Sequence, residues 1–251
     1  MDNHKEYMLR AIELAEMGKG KVSINPLVGC VIVKDNQIIG EGFHTAYGKA
    51  HAEVEAVNSV KNPDEIEGAF VYVNLEPCAH YGKTPPCADL LISRKVKKVF
   101  IANTDPYIEV SGKGIEKLKA AGIEVELGLC AEEGRNLNKR FFTFQEKKRP
   151  WVLLKWAQTY EGFIGPDQHL NPDLYAQSRP ISSEESKYLI HKWRAEEDAI
   201  LVGYRTVLLD DPLLDARYYN NKILTRMVFD PKGALKAEGR FFRPEGKVLV
   251  F

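Results

Sequence analysis

Three residues in this chain have the types and order of a metal site: His51, Cys78 and Cys87. A neutral imidazole and two thiolates supply three ligands of a tetrahedral zinc. A site with three protein ligands keeps its fourth position for water, which marks a catalytic ion rather than a structural one. Glu53 follows the histidine by two positions. It cannot easily share the metal, but it can reach a water held there, take its proton and pass it on. The ion in turn lowers the pKa of that water toward neutrality. The chemistry expected of this set is a hydrolysis with Glu53 as the catalytic acid and base. A purely structural zinc would need a fourth protein ligand, and only His80 stands nearby to offer one.

Elements must bring these residues together. Val28–Val33 and Gln37–Gly42 read as a hairpin turning at Asp35-Asn36, with β-type runs on both sides. His51–Val60 reads as a helix, so His51 and Glu53 fall at its positive end. A strand is expected at Phe70–Asn74, a short helix at Cys87–Arg94 and a strand at Lys98–Ala102. Next come a helix at Ile115–Ala121 closed by Gly122, and a strand at Glu124–Leu127. An amphipathic opening helix carries Tyr7, Met8, Ile12 and Ala15 on one side. This alternation predicts a three-layer α/β/α sandwich. Glu132–Phe144 reads as one further helix. The polar stretch 145–150 then ends in a proline and suggests a boundary between a domain at 1–145 and a second α/β domain at 150–251. In the second, strands are expected at Trp151–Ala157, Ala199–Val202, Met227–Asp230 and Lys247–Phe251, with a helix near Ser183–Ala195.

The bulk composition narrows the class of partner. Of 251 residues, 44% are hydrophobic, and 35 Lys plus Arg balance 35 Asp plus Glu. A duplex-binding protein usually shows a basic excess, and no apolar run is long enough to span a bilayer. There are four cysteines; Cys30 sits in an apolar run and Cys130 after a strand-like one, so a disulfide framework is not expected. These features suggest a cytoplasmic protein acting on a small molecule, without a nucleic-acid or membrane partner.

H-x-E followed by P-C and a second cysteine is the signature of zinc deaminases, here with a wider cysteine spacing. The stretch Glu76-Pro-Cys-Ala-His-Tyr-Gly-Lys-Thr-Pro-Pro-Cys87, with Asn25-Pro-Leu-Val-Gly29, resembles the bifunctional deaminase/reductase of riboflavin biosynthesis. That resemblance implies a cytidine-deaminase-like first domain with zinc. Its substrate would be 2,5-diamino-6-(5-phosphoribosylamino)pyrimidin-4(3H)-one, a phosphoribosyl pyrimidine. It also implies that Asn25 and His44 hold the ring, and that His80 and Lys83 lie close to the ring and phosphate. A lysine there suits a phosphate as a mobile point charge. Where the family has Asp-Pro-Asn-Pro, this chain has Asp105-Pro-Tyr-Ile108, so Tyr107 replaces an asparagine.

Residues from Arg149 onward resemble the NADPH-dependent, dihydrofolate-reductase-like half of the same family. The similarity lies in Arg149–Lys155, Arg194–Gly203 and Thr206–Leu214. By that resemblance Ala157, Thr206 and Asp210 would contact the dinucleotide, while Lys155, Ser178, Arg194, Leu214 and Arg217 would hold the sugar phosphate. Arginine suits this because its planar fork binds two phosphate oxygens. Pro180 stands where the family has a tryptophan. The stretch after Pro150 is short for a dinucleotide-binding reductase and stops in an apolar strand pattern. A truncated domain, unable to reduce by itself, is therefore expected. A homo-oligomer is also expected. Competing readings are a deaminase for nucleosides or tRNA bases, disfavoured by neutral charge and the long cysteine spacing, and a deaminase whose second domain only docks or dimerises.

Overall fold

The protein is described by a computed structural model covering residues 3–81, 85–107, 110–164, 173, 181–243 and 245–251. The chain divides into two compact units, Met1–Trp151 and Val152–Phe251.

In the first unit α1 (His4–Glu16) precedes the hairpin β1 (Gly29–Lys34) and β2 (Gln37–Phe43). Asp35 and Asn36, at φ 50° and 62°, turn it. Two successive left-handed residues suit the twist of a tight hairpin, and Asn and Asp tolerate that region best. α2 (Ala52–Ser59), β3 (Phe70–Leu75), α3 (Cys87–Ser93), β4 (Lys98–Asn103), α4 (Lys113–Ala120) and β5 (Glu124–Leu127) follow. The sheet order is β2-β1-β3-β4-β5, antiparallel through β3 and parallel beyond it.

Side chains alternate across the sheet and divide the core in two. Cys30, Ile32, Val71, Val73, Val99 and Ile101 face a layer that includes Ala52, Ala56, Leu91 and Leu118 from α2, α3 and α4. Val31, Val33, Tyr72, Phe100 and Ala102 face Met8, Ala11, Ile12 and Ala15 of α1, and Leu137. The architecture is an α/β/α sandwich. Cys30 is a buried core residue; Cys130, half-buried, caps a helix at φ 55°.

The helix expected over 132–144 is two helices, α5 (Ala131–Leu137) and α6 (Lys139–Lys147). They meet at Asn138, where φ is −96° and ψ is 21°. The side chain of Asn138 is engaged with the backbone of Leu27 rather than with its own helix, the competition that makes asparagine a poor helix-interior residue.

In the second unit α7 (Glu184–Glu196), β6 (Ala199–Gly203), α8 (Tyr204–Asp210), β7 (Thr225–Phe229) and β8 (Val248–Val250) build a parallel sheet of order β6-β7-β8. Val207, Leu214, Val228 and Phe241 pack at its centre. The strand expected at Trp151–Ala157 is not formed: these residues are irregular and, among the described residues, pair with no strand, leaving Leu154 and Trp156 exposed. β-propensity needs a neighbouring ladder to act on. α8, not expected from the sequence, is only seven residues long, too short to show a helical period. Among the described residues, no helix is long and apolar enough to cross a membrane.

Candidate active site

His51, Cys78 and Cys87 converge, their ligand atoms all within 4.8 Å of one another. His51 is the N-cap residue of α2, in extended backbone at ψ 161°. Cys78 follows the end of β3, and Cys87 is the first residue of α3. His51 Nδ1 lies 3.3 Å from Cys87 Sγ and 3.6 Å from Cys78 Sγ, and the Cys87 backbone N–H donates to Cys78 Sγ at 3.3 Å. Two helix N-termini therefore point at the cluster and favour negative charge on the sulfurs. The hydrogen bond from Cys87, with one from His51, pulls the Cys78 thiol down to about 4, and the same pairing raises Cys87. His51 is raised in turn, chiefly by its hydrogen bond with Cys78. A soft donor set of one imidazole and two sulfurs, with one sulfur already held as thiolate, fits zinc.

Glu53 is the second residue of the same helix, within its first turn, and is 3% exposed. Burial raises its pKa, with the charge on Cys78 adding to the effect. A buried carboxyl with a raised pKa beside a ligand cluster has the properties of a proton shuttle.

Asn25 and His44 also come together. Asn25 Nδ2 is 3.2 Å from His44 Nε2, and His44 Nδ1 is 2.9 Å from the Ala50 carbonyl. The His44 and His51 rings meet edge to face at 5.9 Å. His80 is exposed. Asp105 is buried, which drives its pKa up to about 6. Tyr107 donates its backbone N–H to Asp105 Oδ1 at 2.8 Å. Lys83 lies outside the described residues.

Three residues that sequence reasoning passed over hold this site in place. The buried Glu76 carboxylate accepts backbone N–H groups from Asp105, Gly112, Gly114 and Ile115. Asn74 and Asn138, also buried, grip the backbone of residues 27–29. The available signal was an asparagine inside each of a predicted strand and a predicted helix, where neither is at home.

In the second unit Arg194 and Arg217 meet at Asp215. Arg194 Nη1 donates to its carbonyl at 3.1 Å and Arg217 Nη1 to its carboxylate at 2.7 Å. Leu214 is buried beside them at φ 52°. A cavity of about 180 Å³ includes Leu214, Asp215, Arg217 and Arg226 in its lining. Thr206 is half-buried on α8 and Asp210 ends that helix. Lys155 is exposed and Ala157 half-buried on the irregular segment, so no strand aims Lys155. Ser178 and Pro180 lie outside the described residues.

An α/β/α sandwich with a His/Cys/Cys cluster and a buried glutamate beside it defines the cytidine-deaminase class of fold. Residues 1–103 match the family model described as cytidine and deoxycytidylate deaminase zinc-binding region, and residues 150–251 match the RibD C-terminal domain. The chain is 44% identical over 229 residues to the riboflavin biosynthesis protein RibD of Aquifex aeolicus, which covers 91% of this chain and 62% of that protein. It superposes on RibD of Acinetobacter baumannii with a TM-score of 0.89 at 38% identity, covering 99% of this chain and 69% of that one. It superposes equally, at TM-score 0.89 and 41% identity, on a diaminohydroxyphosphoribosylaminopyrimidine deaminase/5-amino-6-(5-phosphoribosylamino)uracil reductase from Thermotoga maritima, covering 98% and 69%. The chain belongs to the RibD family, and it spans about 62% of the Aquifex protein's length.

Proposed function

We propose that residues 1–145 catalyse the hydrolytic deamination of 2,5-diamino-6-(5-phosphoribosylamino)pyrimidin-4(3H)-one to 5-amino-6-(5-phosphoribosylamino)uracil in riboflavin biosynthesis. Residues 150–251 belong to the reductase that converts the ribose to a ribityl chain with NADPH. The observation that carries the first part is the convergence of His51, Cys78 and Cys87 beside the buried Glu53. His51, Cys78 and Cys87 hold the zinc, which when bound acidifies water and stabilises negative charge on oxygen. Asn25 and His44 orient the ring. A water oxygen bonds to the ring carbon bearing the 2-amino group, the carbon–nitrogen bond breaks, and ammonia leaves. Glu53 takes the water's protons and delivers them to the ring nitrogen and the departing amine; burial suits it to this by raising its pKa above the ordinary carboxylate value. His80 and Lys83 serve the ring and phosphate.

In the second unit Arg194, Arg217, Leu214, Lys155 and Ser178 receive the sugar phosphate, and Ala157, Thr206 and Asp210 face the dinucleotide. The meeting of Arg194 and Arg217 at Asp215 supports the phosphate assignment. The protein is a cytoplasmic homo-oligomer acting on a small molecule, with no nucleic-acid or membrane partner.

The test is Glu53→Gln in the zinc-loaded protein. Zinc content is expected to persist while turnover falls by roughly a hundredfold or more, the scale of a general acid and base. Near-normal turnover, or loss of zinc together with activity, removes Glu53 from this role.

A further inference from the structure

Leu27 carries the backbone between Asn25 and the first residue of β1, and two buried asparagines hold it. Its N–H donates to Asn138 Oδ1 at 2.8 Å. Its carbonyl accepts from Asn138 Nδ2 at 2.8 Å and from Asn74 Nδ2 at 2.9 Å. Asn74 Oδ1 accepts the Gly29 N–H at 2.8 Å. A carboxamide that offers one acceptor and one donor to the N–H and C=O of a single residue does what a neighbouring strand does for a ladder residue. Residues 27–29 are thereby fixed ahead of the strand itself. Asn138 can do this because it stands at the joint of α5 and α6, whose backbone departs from the helix there.

What the fixed loop carries is the candidate ring-holding pair. The His44 backbone N–H donates to the Val28 carbonyl at 2.9 Å. Asn25 Nδ2 meets His44 Nε2 at 3.2 Å, and His44 packs against the metal ligand His51. A line of direct contacts thus runs from Asn138 through Leu27 and Val28 to Asn25, His44 and His51.

We propose that Asn138, with Asn74 beside it, is a positioning residue of the deaminase site. It sets the Asn25–His44 pair against the metal centre without touching substrate, and so controls how well the ring is held. This rests on the deaminase reading of residues 1–145. Removing the Asn138 carboxamide leaves the Leu27 N–H without its partner, while the Leu27 carbonyl keeps Asn74.

The experiment compares steady-state kinetics of the zinc-loaded full chain as wild type, Asn138→Ala, Asn25→Ala and the double variant. Asn138→Ala is expected to keep zinc and raise KM for the diaminopyrimidine roughly tenfold, the scale of one buried hydrogen bond. Its kcat should move by less than about threefold, because no group acting in the transition state is lost. The double variant should lose less than the two single losses combined, since both act on the Asn25–His44 pair. Independent, additive losses overturn the proposal, as does an unchanged KM in Asn138→Ala when Asn25→Ala raises it. Asn138→Asp, which keeps the acceptor for Leu27, serves if the alanine variant does not fold, and should raise KM by a smaller factor; no rise overturns the proposal. A wild type that does not deaminate contradicts the functional reading instead. The His44 ring ¹⁵N signals, read without substrate, still decide the positioning role: they should move in Asn138→Ala as in Asn25→Ala, and unmoved signals overturn it.

Discussion

Glu76 Oε1 accepts the backbone N–H of Gly114 at 2.9 Å, joining the end of β3 to the start of α4. The same carboxylate takes the N–H groups of Ile115, Gly112 and Asp105. It caps a helix whose own N-cap, Gly112, has no side chain to offer. Gly114 is close enough to this wall that an added Cβ would lie 2.0 Å from the Pro77 carbonyl oxygen, one residue before Cys78.

Gly114→Ala should therefore reach the metal site through the backbone. The clash is with a carbonyl, so no rotamer change relieves it, and a cost of about 1–3 kcal/mol is expected, as for overpacked cores. Thermal unfolding should show the loss, and zinc should pass to a competing chelator faster than from wild type. Unchanged melting and unchanged zinc retention would show that the loop after β3 yields without strain.

Metal removal should expose the charge arrangement of the cluster. With the Cys78 thiol pulled down to about 4, the metal-free protein carries a thiolate at pH 6. Burial raises both Cys30 and Cys130. Thiolates are the reactive form, so iodoacetamide at pH 6 should label Cys78 well before those two, and added zinc should suppress the labelling. Peptide mapping that finds Cys130 labelled as fast as Cys78 refutes this.

The parts of this molecule that were legible in the sequence are those written locally. Cys30 and Ile32 alternate with Val31 and Val33, and the structure sends the pairs to opposite cores. The Asp35-Asn36 turn is likewise a local pattern, and His51, Cys78 and Cys87, though 27 and 36 positions apart, were legible because their residue types name a metal. Glu76 was not legible as an anchor, because its partners are backbone N–H groups 29 to 39 residues away and no residue type encodes them. Asn138 broke a predicted helix for the same reason: its partner is 111 positions distant. Trp151–Ala157 has the composition of a strand, but strand formation depends on a neighbour that composition does not specify.

Asp105 makes a pH prediction with a definite sign. Its folded-state pKa is raised from 3.8 to about 6, first by burial, so the folded protein binds its proton more tightly than the unfolded chain. Stability from this group is fully present below about pH 3.8 and is lost as pH rises through 6. Asp105→Asn preserves an oxygen acceptor for the Tyr107 N–H and removes the buried charge. It should raise stability by on the order of 2 kcal/mol at pH 7.5 and by little at pH 4. Equal melting shifts at both pH values would assign the effect to packing instead.

Asp215 both organises and screens the arginines of the second unit. Its carbonyl fixes Arg194, while its carboxylate holds Arg217 and pushes that guanidinium's pKa up. An incoming phosphate must compete with the carboxylate for Arg217. Asp215→Asn keeps the shape and the carbonyl but withdraws the competing charge, so inorganic phosphate should bind more tightly to this variant. The gain is limited, because the Arg217 side chain is 45% exposed and Asp215 is 32% exposed. Solvent-screened pairs of this kind contribute about 0.2–1 kcal/mol, which corresponds to a tightening of up to roughly fivefold. Arg194→Ala should act in the opposite direction, by about tenfold or more, since it removes a charge-assisted donor from a partly buried position. Calorimetric titration with phosphate at low salt measures both changes. Raising the salt should shrink the Asp215→Asn gain first, because exposed charges are the ones that ions screen. Phosphate affinity that ignores both substitutions would place the anion elsewhere and detach Arg194 and Arg217 from its recognition.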